Sequence, residues 1–163
     1  MGIVNDIGTG PVGLDTCVFI YFIEESKEFL NLVQPLFQAI DEGSLVAVTS
    51  GITLIETLVI PLRKGDTKLA MDYERIFTNS HGLQLYELDC ELLRQGAFLR
   101  ANFGIKTPDA LQIAASKRGK CSAFITNDRR LPKIEGLPIL QLSDYLIPPT
   151  KEKRKRGKSI EFD

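Results

Sequence analysis

The chain has 163 residues, a formal net charge of −1, 44% hydrophobic and 25% charged residues, the proportions of one soluble globular domain. No apolar run approaches the roughly 18 residues that cross a bilayer, and residues 1–13 lack the basic and apolar order of a signal peptide, so a cytoplasmic protein with no membrane segment is expected. Cys17, Cys90 and Cys121 offer neither a disulfide framework nor a zinc spacing.

The small net charge hides an asymmetry. Residues 151–163 carry six Lys or Arg against Glu152, Glu161 and Asp163, a net of +3, which leaves −4 on residues 1–150. The expected organisation is a folded domain over 1–149 and a basic, disordered tail over 150–163.

In chain order, Gly10 to Gly13 is turn-like and leads into a short buried strand ending near Asp15, followed by a turn into helix. From Phe29 the apolar positions 29, 30, 32, 33, 36, 37 and 40 repeat at 3.6 residues. Pro35 interrupts that face, which implies a kinked helix or two short ones, and Gly43 supplies the stop. Leu45-Val46-Ala47-Val48 reads as a strand closed by Thr49-Ser50-Gly51. Helices are expected over 52–63 and 66–77, the second presenting Leu69, Tyr73, Ile76 and Phe77. Residues 83–87 alternate like a strand. A helix then starts at Asp89 or Cys90 and buries Leu92, Leu93, Ala97 and Leu99 before Gly104 ends it. The next helix opens at Thr107-Pro108-Asp109, with Thr107 able to cap and Pro108 suited to the first turn. Ala123-Phe124-Ile125-Thr126 and residues 138–142 complete the strands. Strands separated by helices imply right-handed crossovers and a parallel sheet between helical layers, and such sheets bind ligands at the carboxyl ends of their strands.

Four carboxylates stand in apolar company: Asp15, Glu56, Asp109 and Asp128. Each alone has an ordinary reading as a cap, a projecting helix residue, a first-turn acid or a turn residue. Together, with Asp15 and Asp128 at expected strand ends, they point to a site. No Lys or Arg lies near Asp15 or Glu56 in sequence, and clustered carboxylates repel and raise one another's pKa. A divalent cation removes that cost, and an all-oxygen donor set selects a hard ion, Mg²⁺ or Mn²⁺.

Four stretches carry a resemblance: Leu14-Asp15-Thr16; Thr53-Leu54-Ile55-Glu56; Lys106 to Ala114, with Thr107-Pro108-Asp109 at its start; and Ile125 to Leu131, with Thr126-Asn127-Asp128 in it. In this order, over about residues 14–145, they resemble the motifs of the PIN domain, and more narrowly those of VapC-type toxins. The resemblance implies a three-layer α/β/α sandwich with a mainly parallel central sheet and a metal-dependent endoribonuclease. In it Asp15, Glu56, Asp109 and Asp128 hold Mg²⁺ or Mn²⁺, and Thr126 positions water or a ligand. Thr16 would bond a neighbouring carboxylate. A small antitoxin covering the acidic groove and a homodimer are the implied protein partners, with RNA as substrate.

Cys17 stands where the family often has Asn or Ser, and Arg130 where some members carry a fifth acid. His81 and Cys17 lack the partners of a nucleophilic or acid–base pair, and Gly8, Gly10 and Gly13 lack the spacing of a phosphate loop. Arg129 and Arg130 either touch RNA phosphates or solvate a loop. Lys153, Arg154, Lys155 and Arg156 either capture RNA for an otherwise repelling acidic body or are simply solvated. Two further readings stay open: a PIN nuclease of RNA processing or decay without an antitoxin, and a non-catalytic PIN-like or receiver-like module. A receiver would need a lysine at a late strand end, where Ile125-Thr126-Asn127 stands.

Overall fold

A computed structural model describes residues 2–146; the basic tail, with Lys153 to Arg156, and the expected domain boundary at 149 lie outside the described residues. The elements run α1 (Ile3–Asp6), β1 (Val12–Leu14), α2 (Thr16–Ile23), α3 (Leu30–Asp41), β2 (Ala47–Ser50), α4 (Ile52–Lys64), α5 (Thr67–Asn79), β3 (Leu83–Tyr86), α6 (Cys90–Phe103), α7 (Thr107–Arg118), β4 (Ala123–Thr126), β5 (Ile139–Gln141) and a 3₁₀ turn over Leu142–Tyr145. The five strands form one all-parallel sheet in the order β3-β2-β1-β4-β5. The expected α/β/α sandwich is therefore present, and its sheet is wholly parallel.

Strands β1, β2 and β4 are buried along their whole length, which is why their sequences read as apolar runs rather than alternating ones. One core lies on the side of α1, α2 and α3, with Val18, Phe19, Leu36, Phe37 and Ile40 closed over by Ile76 of α5. There the Phe19 and Phe37 rings meet edge to face, 5.6 Å apart. The other core joins α6 and α7 to the opposite face through Leu92, Leu99, Ile113, Ala114 and Phe124. Running out from β1 in both directions, the chain fills one face on the way to β3 and the other on the way back to β4. The direction changes beside β1, and the crevice at that point is where ligands of such sheets bind.

Gly13 allows α7 to lie directly on β1: a Cβ there would come within 2.1 Å of Ser116 Oγ. Helix α7 is consequently buried without interruption from Ala110 to Ser116, so no 3.6-residue polar stripe marks it.

Several boundaries differ from the sequence reading. Helix α1 was not expected; four residues held by Ile3 against the core give too short a pattern to register. Pro35 sits inside a single helix, one of the two arrangements expected of it. Strand β2 starts at Ala47, because Leu45 closes the end of the preceding helical turn through its N–H to the Ala39 carbonyl. On α6 the buried stripe is Leu92, Gly96 and Leu99, whereas Leu93 and Ala97 face outward. Lys106, not Thr107, occupies the N-cap of α7 and its side chain makes no capping bond, which places Pro108 one residue further in. Among the described residues no helix is long and apolar enough to cross a membrane.

Candidate functional site

The end of β1 delivers Asp15 into the crevice, where it is also the N-cap of α2, its Oδ1 accepting the Thr16 N–H at 2.8 Å. The end of β4 delivers Thr126, fully buried, whose hydroxyl donates to Asp15 Oδ2 at 2.6 Å and accepts the Asp128 N–H at 3.0 Å. One threonine thus ties together two acids that lie 113 residues apart in the chain. Asp109 enters from the first turn of α7 and, with Lys106, Asp128 and Arg130, lines a cavity of about 200 Å³. Glu56 enters from α4, where its carboxylate accepts a hydrogen bond from the Thr16 hydroxyl. Thr16 accordingly bonds a neighbouring carboxylate, as expected.

Electrostatics separate these acids. Burial pushes the Asp15 carboxyl above the usual carboxylate range, against the hydrogen bonds from Thr126 and Thr16, and the charges of Glu56 and Asp128 push the same way. Asp109 is raised as well, first by burial and then by the charges of Asp15 and Asp128. Asp128 goes the other way: Arg130 grips it, Nε at 2.8 Å and Nη2 at 2.7 Å, and lowers its pKa. An acid that is partly buried and charged against its neighbours is held in an unfavourable state that a cation relieves.

The donor set is all carboxylate and hydroxyl, which fits a hard divalent ion. As placed, however, no three acidic, histidine or cysteine side chains among the described residues stand close enough to share one ion. Glu56 is turned to Thr16 and Asp128 to Arg130, so a shared ion requires both to reorient.

One assumption of the sequence reading changes. The apolar neighbours of Glu56 do not bury it: Ile55, Val59, Ile60 and Leu62 are exposed, and the buried side of α4 is Thr53, Thr57 and Pro61. The two loop arginines are both engaged rather than free. Arg129 donates to Asp144 and to Ser143 Oγ at 2.8 Å, and Arg130 holds Asp128. The Cys17 thiol is pushed up to about 12, by burial first and the Asp15 charge second, so it stays protonated, in keeping with packing and not nucleophilic chemistry. His81 is exposed in the turn before β3.

Sequence reasoning missed Gln112. Buried in α7, it accepts the Ser50 N–H at 3.0 Å and donates to Thr53 Oγ at 2.6 Å and Thr16 Oγ at 3.2 Å. Thr53 in turn meets Thr49 at 2.7 Å. Since the Ser50 N–H can only donate, the Gln112 amide orientation is fixed, and its donor end orders the hydroxyl that holds Glu56. The available signal was a glutamine inside an otherwise small and apolar run, Ala110 to Ala115.

A family model described as PIN domain matches residues 12–137. No curated protein matches the chain at a significant level. Among solved structures, the chain is similar to VapBC2 from Rickettsia felis, bound to a DNA fragment from the pair's promoter, with a TM-score of 0.60 and 15% identity over 80% of this chain and 97% of that one. It is similar to VapC20 of Mycobacterium tuberculosis, a Sarcin-Ricin loop cleaving toxin, with a TM-score of 0.60 and 16% identity over 73% and 91% of the two chains. A third similar structure is DNA-bound VapBC from Salmonella typhimurium, with a TM-score of 0.56 and 20% identity over 82% and 98%. At such identities the likeness is one of fold.

Proposed function

We propose that this chain, which belongs to the PIN domain family, is a divalent-metal-dependent endoribonuclease and the toxin of a type II toxin–antitoxin pair in the cytoplasm. The observation that carries the reading is the tie at the switch point, Thr126 holding Asp15 beside Asp128 while Asp109 faces them from α7. Asp15, Glu56, Asp109 and Asp128 would hold Mg²⁺ or Mn²⁺. Bound there, such an ion would polarise an attacking water and stabilise charge on a phosphoryl oxygen. The protein's own contribution is positional. Thr126 and the Thr16 N–H fix Asp15, Gln112 and Thr16 fix Glu56, and the first turn of α7 presents Asp109. Lys106 and Arg130 at the mouth of the cavity suit the phosphates flanking the cut bond.

A protein partner is supported by the exposed apolar residues Ile55, Val59 and Leu62 on one face of α4; an antitoxin and a second copy of the chain are the partners this reading assigns to such surfaces. A further similar structure is a toxin–antitoxin complex from Klebsiella pneumoniae, with a TM-score of 0.55 and 17% identity over 78% of this chain and 95% of that one, which supports the same assignment. RNA incubated with Mg²⁺ or Mn²⁺ should be cut internally, and EDTA or Asp109→Asn should each abolish cutting. Cleavage that survives both would overturn the metal-nuclease reading.

A further inference from the structure

A second cavity lies outside the acidic crevice. It is a groove of about 530 Å³ between α6 and α7, within the range of about 300–1,000 Å³ that holds small organic groups. Its floor is apolar, and two aromatic rings of α6 border it with much of their surface in solvent, Phe98 at 65% and Phe103 at 39% exposure. The amides of Gln95 and Asn102, the cations Lys117 and Arg118 and the acid Glu135 form its rim, with Arg118 also paired to Asp89 at 2.7 Å. Phe103 also lines the cavity of Asp109 and Asp128, so groove and acidic site adjoin at that ring.

Charge distinguishes the occupant. Residues 1–88 hold five basic and twelve acidic side chains, whereas residues 89–146, which include α6 and α7, hold nine basic and six acidic. The acidity of the body therefore belongs to the opposite layer, and the layer with the groove is cationic. A second copy packed symmetrically on this groove would set like charges against each other. An anionic strand carrying flat aromatic groups fits both the rim and the floor, since unpaired bases stack on aromatic side chains and their phosphates take Lys and Arg.

We propose that this groove takes an unpaired base of the RNA, next to the cleaved phosphodiester, with Phe98 and Phe103 as the stacking surface and Gln95 and Asn102 reading the base edge. The proposal rests on the ribonuclease reading for its ligand and extends it: the substrate must present single-stranded nucleotides beside the cut, as a loop or an unpaired end does.

The test is binding of a short single-stranded oligoribonucleotide containing a fluorescent adenine analogue, in EDTA so that nothing is cut. Wild type should quench the analogue, Phe98→Tyr should behave alike, and Phe98→Ala should bind about tenfold more weakly without quenching. Phe98 is exposed, so its loss leaves the core intact. A strand made abasic at that position should bind wild type and Phe98→Ala equally. Unchanged affinity and quenching in Phe98→Ala overturn the proposal. So does a change in sedimentation mass without a change in RNA binding, which would make the groove a protein interface. The two readings fail separately: intact quenching with no metal-dependent cleavage by wild type removes the nuclease, whereas cleavage with unaltered Phe98→Ala binding removes the groove.

Discussion

Replacing Gln112 by leucine tests how the acids are held. The side chain is buried, and its loss leaves the Ser50 N–H without its acceptor at 3.0 Å while Thr53 and Thr16 each lose a donor. The orphaned amide costs about 1–3 kcal/mol and each lost hydroxyl contact about 0.5–1.5 kcal/mol, less whatever the hydroxyls regain by rotating. Thr53 keeps Thr49 and Thr16 keeps Glu56, so the lower ends apply to both threonines and the expected loss is about 3 kcal/mol. For a chain of this size about 2–4 °C of Tm accompanies each kcal/mol, giving a fall of about 6–12 °C by circular dichroism. Cleavage, measured well below that temperature, should drop about 10–100-fold, the usual effect of removing a partner that orients metal ligands. Gln112→Glu should keep the Ser50 contact yet lose both donors and set a charge beside Glu56, so its activity should fall at least as far. A Gln112→Leu protein that melts within about 0.5 kcal/mol of wild type, as an ordinary surface variant does, with full activity, would refute the reasoning.

Other outcomes follow from the same geometry. In EDTA the folded protein binds protons at Asp15 and Asp109 more tightly than the unfolded chain does, so Tm should rise as pH falls from neutral through the raised pKa values. Below the ordinary value of 3.8 it should fall again as Asp128 loses its link to Arg130; Asp109→Asn should melt higher than wild type at neutral pH and show a flatter rise, and a Tm independent of pH above 4 would contradict this. Gly13→Ala should cost ~3 kcal/mol or more, or prevent soluble expression, because its methyl would lie 2.1 Å from Ser116 Oγ and 2.8 Å from Phe124; wild-type melting would show that α7 can lift off β1. Arg130→Gln should lower the Mg²⁺ concentration for half-maximal cleavage by up to about fivefold, as Asp128 is freed from an exposed ion pair worth at most about 1 kcal/mol. An unchanged metal requirement would mean that Arg130 does not compete for Asp128.

The sequence made the layout legible wherever burial was extreme. Leu14-Asp15 and Ile125-Thr126 mark strand ends because parallel strands covered on both faces are apolar and give way to polar residues where the cover ends. The pairing of Asp15 with Thr126 follows from a register between β1 and β4 that no local pattern encodes. Leu92 and Leu93 differ in fate although they are identical in type, since helix phase relative to Gly96 decides which one meets α7. The apolar neighbours of Glu56 face solvent, so they do not explain its place; its tie in the fold is Thr16, forty residues earlier. For Gln112 the apolar run around it signals burial alone; its role shows only through partners such as Ser50 and Thr53, about sixty residues away in the chain.

The central place of β1 has a consequence for synthesis. Its partner on one side is β2, close behind in the chain, and on the other β4, met across 111 residues. Pairing at that separation is slow, because a long loop must close before any contact repays it. A nascent chain can therefore assemble β1, β2 and β3 early, but β4 carries Thr126, and Asp128 follows it. The crevice is completed only when the last third of the chain is made, so a truncated or stalled product holds Asp15 and Glu56 without Asp128. On the proposed nuclease reading, the order of the strands delays completion of the site until synthesis is nearly finished.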